Sequence, residues 1–329
     1  MWLLLFVIFI ISYLFFNSTK SRYKHLPSPG LCLPILGHSY KLLGSKDLVN
    51  SIWSVYKKHN RNGILYIQSF REPSVWIGDF EAIKYLFNHI DGNDRTDSLM
   101  RKSLLHTRKV TSGDRIPGLL FSEGSLWHQQ RRFTLKTLKD FGFGKQGMEG
   151  LIHEEVNQFI SFVNTNIDQP LDFSHKLNLP IINALWKITV GDRFEYDNPK
   201  LLNIVERLTE CFKLISDPKQ AIIRSFPWVE KLPLPESVFK RKYFVSTLHE
   251  ISDMMMDNII KHKETLDVNS PRDFVDMMLI EMENTEDESS SFYGQLGVDN
   301  LKVTMFDLFL AGSETTSTTL TWAFLYMIR

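Results

Sequence analysis

One stretch of the sequence sets small and hydroxyl-bearing residues around a carboxylate. Residues Ala311–Thr319 read Ala-Gly-Ser-Glu-Thr-Thr-Ser-Thr-Thr, with strongly apolar residues on both sides. A glycine beside several hydroxyl residues lowers helix propensity, so folding alone does not favour them within a long helix. Small residues let a planar molecule approach the backbone, and Glu314 beside Thr315 pairs an acid with an alcohol, which suits proton delivery.

The same stretch predicts a particular hydrogen bond. A Thr hydroxyl in a helix can donate to the carbonyl oxygen four residues back, which for Thr315 belongs to Ala311, and such a bond can open the helix. The residues fit a second explanation equally well. They are also typical of a site where small residues let two helices cross, with the polar side chains facing solvent.

A second candidate site lies earlier in the chain. Trp127 and Arg131 are four residues apart in a helical pattern, so they share one face of the helix. An indole N–H beside a guanidinium can bind a buried carboxylate. A cation–π contact at the surface is the commoner use of such a pair.

A glycine pattern at residues 142–147 matches GxGxxG but does not follow a strand, as a dinucleotide-binding loop must. We therefore predict a loop between two helices there. The sequence contains no P-loop, HExxH or GxSxG motif. Lys plus Arg equals Asp plus Glu at 38 each, which argues against a nucleic-acid partner. The two cysteines, Cys32 and Cys211, form no metal-binding pattern.

The elements that must position these residues are mostly helices. Alternation predicts two strands around 64–67 and 75–77 with a turn at 71–73, and Asp79 is the expected cap of the helix that follows. The periodicity predicts helices over 48–58, 125–140, 148–167, 176–190, 200–215, 236–265, 272–283 and from Asp299 to the last residue. Gly191 is the expected end of the fourth of these, and 283–291 is an expected loop. The fold class is therefore mainly α with a small β-sheet (α+β).

The first residues predict a membrane anchor. Residues 1–16 carry no charge, and Lys20, Arg22 and Lys24 follow, which places the rest of the chain in the cytosol. We expect an anchor over residues 1–25, a proline-rich hinge over 26–38 and one globular domain over 39–329.

Together these segments resemble the cytochrome P-450 superfamily, the haem-thiolate monooxygenases, and within it the microsomal type. The resemblance extends from Leu26 to Arg329. The sequences of its motifs are similar to those of the branch that contains the vertebrate family 2 enzymes and their arthropod relatives. The resemblance rests on five segments: Ala311–Thr316 in the long I helix, Trp127–Arg131 in the C helix, the hinge Pro27–Gly30, Asp140–Lys145 and Gly191–Tyr196.

The resemblance implies roles residue by residue. Glu314 and Thr315 would deliver protons during oxygen activation, and Ala311 and Gly312 would line the groove above the haem. The haem propionates would be contacted by Trp127, Arg131 and Arg95, although Arg95 lies farther from Trp127 in sequence than in close relatives. Substrate contacts would come from Ile116, Leu119, Phe212 and Asp307, for each of which core packing is an equally good explanation.

The departures from the family pattern matter. The ExxR motif and the FxxGxRxC haem loop do not occur in this sequence, and neither Cys32 nor Cys211 lies in such a loop. The axial cysteine is therefore absent from this chain, which we interpret as C-terminally truncated and ending at the I helix. Leu310 stands where relatives often have glycine, so we expect a narrower pocket.

The implied function is insertion of one oxygen atom from O2 into a lipophilic small molecule. The cofactor would be heme b, with electrons from NADPH through cytochrome P-450 reductase and cytochrome b5 as a second candidate donor. The implied location is the endoplasmic reticulum membrane, and no nucleic-acid partner is expected. The alternative is a membrane-tethered, non-enzymatic helical protein that binds hydrophobic ligands, or an inactive fragment.

Overall fold

The computed structural model describes residues 6–7, 9–10, 13, 23, 25–33, 35–42, 47–70, 72–95, 104–166, 168, 176–196, 198–216, 235–236 and 240–328. Most of the expected anchor, residues 1–25, lies outside them. Within the described residues, no helix combines the length and the apolar character needed to cross a bilayer. The chain divides into two compact units, Met1–Asn93 with Pro218–Pro233 and Asp94–Asp217 with Leu234–Arg329.

The first unit holds a helix, a hairpin and a second helix: α1 (Leu48–His59), β1 (Ile64–Ser69), β2 (Glu72–Ile77) and α2 (Phe80–Asn88). The Asp79 carboxylate accepts from the Ala82 N–H at 2.9 Å, so the expected cap is confirmed. The expected turn at 71–73 is wrong. Pro73 pairs with Gln68 inside the antiparallel hairpin, so the chain reverses earlier. A proline is tolerated there because a strand at the edge of a sheet need not use every N–H.

The regular secondary structure in the described part of the second unit is all helical. Its helices are α3 (Gly124–Asp140), α4 (Gln146–Thr165), α5 (Asn178–Val190), α6 (Pro199–Ser216), α7 (Arg241–Thr265), α8 (Phe274–Glu283) and α9 (Gly294–Met327). The mainly α class with a small sheet is thus confirmed. Gly191 ends α5 in the left-handed region at φ 72°, and the GxGxxG segment lies in the turn between α3 and α4 and the first turn of α4.

The start of the last helix differs from the prediction. We expected Asp299 to open it, whereas α9 begins five residues earlier, at Gly294. Asp299 is fully buried, and its carboxylate accepts from the N–H groups of Thr111 and Ser112 at 2.8 Å each. An acidic residue before an apolar run usually caps a helix. Here it binds another segment of the chain instead.

The core of the second unit is one apolar cluster to which α5 to α9 all contribute. Its fully buried members include Ile204, Ile251, Met255, Phe274, Met278, Leu301 and Met305. The first half of α9 runs through this cluster and packs along α5. The cluster therefore fixes the direction of the helix that carries the Ala311–Thr319 stretch.

Candidate active site

The hydroxyl groups of the Ala311–Thr319 stretch bond to the helix itself. Thr315 Oγ1 donates to the carbonyl of Ala311 at 2.8 Å, as predicted. Thr319 Oγ1 donates in the same way to Thr315, also at 2.8 Å. The predicted opening of the helix is wrong, because α9 continues without a break through this stretch. Ala311 and Thr315 both lie exposed, one turn apart on one face.

The opposite face of the same stretch is a helix crossing. A Cβ atom added to Gly312 would lie 2.8 Å from Leu185 Cδ2 on α5, so the two helices approach closely there. Ser313 and Ser317 are buried on this side. The small residues thus serve the crossing that the sequence offered as an alternative. Gly312, which the resemblance places beside the haem, contacts α5.

Glu314 and Thr315 have different partners. The Glu314 carboxylate accepts from Asn178 Nδ2 at 3.4 Å and from Thr209 Oγ1 at 3.2 Å. These donors lie on α5 and α6, whereas the Thr315 hydroxyl bonds along its own helix. The pairing of acid and alcohol therefore stays a prediction. Reaching Thr315 would require Glu314 to exchange these partners.

The loop 116–121 is fastened to α9 just before the stretch. The N–H groups of Leu119 and Leu120 donate to Asp307 Oδ2 at 2.8 and 2.9 Å, and Gly118 N–H donates to Asn300 Oδ1 at 3.0 Å. Asp307 is four residues before Ala311, so the loop sits one turn from it along the same face. The structure thus brings together three of the four predicted substrate residues.

These residues are less open than substrate contacts need to be. Ile116 and Asp307 are buried, and both Asp307 oxygens face partners. Burial raises the pKa of Asp307, while the guanidinium of Arg108 and the two loop N–H groups act in the opposite direction. Phe212 lies on α6, partly buried against the main core. The geometry therefore favours packing and loop fastening as the roles of Ile116, Phe212 and Asp307.

The predicted propionate contacts lie beside this loop. Arg131 Cζ is 5.2 Å from the centre of the Trp127 ring, so the shared helix face is confirmed, and the pair makes the cation–π contact described above as the alternative. Arg95 Nε donates to the Leu120 carbonyl at 3.0 Å, and its backbone N–H donates to the Glu123 carboxylate at 3.3 Å. Glu123 immediately precedes α3, which carries Trp127.

The structure also contains an apolar groove that the sequence did not predict. It has a volume of about 540 Å³ and lies between α4, α5 and α9, with the end of α3 at one side. Its walls include Ile152, Val156 and Phe159 of α4, together with Ala311 and Leu320 of α9. The spacing of the α4 residues at i, i+4 and i+7 was the available signal, but it is equally typical of a core face.

Comparisons with known proteins match nearly the whole chain. A model of the cytochrome P450 family matches residues 27–329. Cytochrome P450 2J5 of Mus musculus is 30% identical over 329 residues, which are 98% of this chain and 61% of the relative. Cytochrome P450 2H1 of Gallus gallus is 32% identical over 314 residues, or 95% of this chain and 60% of the relative.

The chain belongs to the cytochrome P450 family. It spans about 60% of the length of the curated relatives it matches.

The family implies a haem, and the residues present fit its periphery. Ala311 and Thr315 offer an exposed face without bulky side chains, where a planar group can lie. Arg95 and Arg131 are exposed guanidiniums suited to carboxylates.

The two thiols do not fit the axial position. Burial raises the pKa of the Cys211 thiol to about 11, and Cys211 is only 1% exposed on α6. Burial also raises the pKa of Cys32, whose thiol lies 3.6 Å from Gln68 Oε1. Metal ligation and the haem-thiolate reaction both require a thiolate, so neither side chain is prepared for that role.

Proposed function

We propose that this chain is the N-terminal part of a haem monooxygenase that inserts one oxygen atom from O2 into a lipophilic small molecule. The observation that supports this most directly is the exposed Ala311–Thr315 face of α9, in a chain of the cytochrome P450 family. A bound haem supplies the oxygen chemistry, and the protein supplies position, protons and exclusion of water.

Thr315 is the residue we assign to proton delivery. Its hydroxyl donates to Ala311 and therefore presents its oxygen lone pairs at the exposed face. By exchanging that donor bond for one to a guest, the hydroxyl can pass on a proton without any change in the backbone. Glu314 lies among donors on α5 and α6, so we assign it the more remote role of resupplying the proton.

Arg95 and Arg131 are the residues that we assign to the haem carboxylates, with Trp127 stacked against Arg131. Arg95 is joined through the Leu120 carbonyl to the loop that Asp307 fastens on α9. The cationic groups and the Ala311 face are thus parts of one connected framework. This framework would orient the planar group relative to Thr315.

The electrons would come from NADPH through cytochrome P-450 reductase, with cytochrome b5 as a second donor. We further propose that residues 1–25 anchor the protein in the endoplasmic reticulum membrane and leave the globular part in the cytosol. The charges that follow the apolar run support this orientation.

The axial cysteine is expected in the part of the relatives' length that this chain does not cover. The test is to sequence transcripts beyond the codon for Arg329 and to express both the extended protein and the 329-residue chain. The reduced, carbon monoxide-treated extended protein should show the absorption of a thiolate-bound haem, and replacing the cysteine of FxxGxRxC with serine should abolish it. An extended reading frame without that cysteine would contradict the proposal. So would an extended protein that contains the cysteine and lacks this absorption.

A second candidate function rests on the apolar groove. A volume of about 540 Å³ is within the range of small-molecule sites, and nearly all of its lining residues are apolar. A non-enzymatic chain that binds hydrophobic ligands would therefore use α4, α5 and α9. Saturable binding of an apolar fluorescent probe to the haem-free chain, lost on Val156→Arg, would favour this function. Binding that Val156→Arg leaves unchanged would count against it.

A further inference from the structure

The segment 104–121, here called the strap, lies along α7 and α9 and is held there by side chains from both helices. On α9, Asp299 accepts from the backbone of residues 111 and 112, Asn300 accepts from Gly118, and Asp307 accepts from Leu119 and Leu120. On α7, Ser252 Oγ donates to the carbonyl of Arg108 at 3.0 Å. Connecting segments at a protein surface are usually more mobile than the helices they join, and these polar contacts restrict the strap.

Arg108 is the one buried arginine among the described residues. It is 2% exposed, and its Nη1 lies 2.8 Å from Asp307 Oδ1. Its guanidinium carbon lies 5.2 Å from the ring centre of Phe121 and 5.0 Å from that of Phe306. The cation therefore lies between an aromatic residue of the strap and one of α9, while it neutralises the carboxylate that holds the strap.

The neighbouring ion pair provides a contrast. Lys109 Nζ lies 2.5 Å from Asp253 Oδ1 on α7, but the two side chains are 40% and 57% exposed. Water and salt screen an exposed pair of this kind, so it contributes little to stability. A buried carboxylate that loses its cation stays uncompensated, and that loss is strongly destabilising. The conformation of the strap should therefore depend on Arg108 and hardly at all on Lys109.

We propose that Arg108 is a positioning residue for the site on α9. It acts through Asp307, which holds the backbone of Leu119 and Leu120 one turn before Ala311 and so places this loop at the near end of the Ala311–Thr315 face. The proposal rests on the proposed monooxygenase function, because that function makes the Ala311–Thr315 face the reaction site. No sequence motif marks Arg108, which is four residues before Ser112 in a region without regular periodicity.

Amide hydrogen exchange on the full 329-residue chain in detergent micelles tests the fastening directly and needs no haem. In Arg108→Met, peptides covering 116–121 should exchange about tenfold faster or more, since local opening follows the local free energy. Peptides covering 320–327, at the far end of α9, should exchange as in the wild type. The matched control Lys109→Met should leave the strap unchanged.

Two further variants separate positioning from general loss of folding. The double variant Arg108→Met with Asp307→Asn removes the uncompensated charge and keeps an oxygen that the Leu119 and Leu120 N–H groups can use. Its strap should therefore exchange more slowly than that of Arg108→Met but faster than that of the wild type, because the ion pair and the contacts with the Phe121 and Phe306 rings are still missing. Arg108→Lys should also be intermediate. If Arg108→Met does not fold, the double variant decides alone. Strap exchange equal to the wild type in that variant would overturn the proposal.

The reaction supplies a second, independent measurement. In the extended, haem-containing protein, Arg108→Lys should change the ratio of products from one lipophilic substrate while the haem content stays normal. Faster strap exchange with an unchanged product ratio would overturn the positioning role and leave only a structural one. Faster strap exchange in a protein with no turnover at all would overturn the proposed function, while the fastening by Arg108 would stand.

Discussion

The two halves of α9 differ sharply although they form one continuous helix. From Gly297 to Phe309 nearly every side chain is buried, with Leu301 and Met305 fully enclosed. From Ala311 onward only Ser313 and Ser317 are buried, and Tyr326 is 70% exposed. This change from buried to exposed side chains occurs within one turn, at the start of the Ala311–Thr319 stretch.

This difference shows how a site can combine weak local propensity with a fixed position. The first half is held by packing and by four polar side chains that bind the strap, namely Asp299, Asn300, Lys302 and Asp307. In the second half the Thr hydroxyls bond to carbonyls four residues back, at Ala311, Thr315 and Ser317. Since most helix stability in proteins comes from tertiary packing, the buried half supplies the stability that the polar half lacks.

The largest effect is expected when one leucine in each half of α9 is shortened and the loss in the free energy of unfolding is compared. Leu301→Ala leaves a cavity in the enclosed half and should lower the free energy of unfolding by about 2–5 kcal/mol. Leu325→Ala makes the same change on the exposed half, where Leu325 is 46% exposed, and should cost less than about 1 kcal/mol. Urea denaturation followed by circular dichroism measures both. Equal losses would show that the second half is packed in solution.

The next effect concerns the hydroxyl groups of the exposed half. In the extended, haem-containing protein, Thr315→Ala should lower product formation about 100-fold, the usual worth of a positioned proton-transfer group. The free energy of unfolding should fall by only about 1 kcal/mol. NADPH consumption should continue, with peroxide or water released in place of the hydroxylated product.

Thr319→Ala is the matched control, because Thr319 is also exposed and makes the same bond to the carbonyl four residues back. The measurement is NADPH consumed against product formed. If both variants kept the wild-type ratio, Thr315 would be a packing residue. If both lost it equally, the effect would belong to the helix and not to one hydroxyl.

A third test concerns a buried charged pair outside α9, His262 with Asp273, and its contribution to the free energy of unfolding. His262 on α7 faces two acceptors, the Asn258 carbonyl at 2.8 Å from Nδ1 and the Asp273 carboxylate at 2.9 Å from Nε2. Burial lowers the pKa of His262, but these two bonds and the nearby charge of Asp273 and Asp276 outweigh it and raise the pKa. Arg272 also pairs with Asp276.

Because the folded pKa of His262 is raised, its contribution to stability is full below the ordinary value of about 6.5 and is lost as the pH rises through the folded value. Denaturation from pH 6 to 9 should show stability falling by at most about 1.4 kcal/mol per pH unit. His262→Gln should flatten this slope, whereas His153→Gln, at an exposed site on α4, should not. A wild-type profile without any slope would refute the protonated form.

The smallest effect is expected from fully solvated charges. Arg132, Lys136 and Lys139 are exposed on α3 at i, i+4 and i+7 and form a basic stripe. In the extended protein, changing all three to Gln should slow reduction by the reductase by about threefold to tenfold at low salt and not at high salt. The control changes three exposed lysines on other helices, Lys200, Lys261 and Lys263. A reduction rate independent of ionic strength would exclude steering by the stripe.

The sequence predicted the helices well because their apolar positions recur with a clear period. The start of α9 was missed because Asp299 looks like a cap but binds residues 111 and 112, a contact between distant parts of the chain. The turn near Pro73 was missed because proline usually marks turns, whereas here it lies in an edge strand.

The site was predictable only where the residues themselves carry the chemistry. The bond from Thr315 to Ala311 and the shared face of Trp127 and Arg131 follow from helix geometry, and both are confirmed. The direction of the Glu314 side chain and the burial of Arg108 depend on which helices lie nearby, which no local pattern records.

The groove between α4, α5 and α9 also has a consequence for handling the chain. Phe143, Ile152, Val156 and Leu320 line it and are 37–44% exposed, so an apolar surface faces water. Patches of this kind promote self-association in dilute buffer. The 329-residue chain should therefore scatter light and bind anilinonaphthalene dyes when detergent is removed, and Ile152→Glu with Val156→Lys should keep it dispersed.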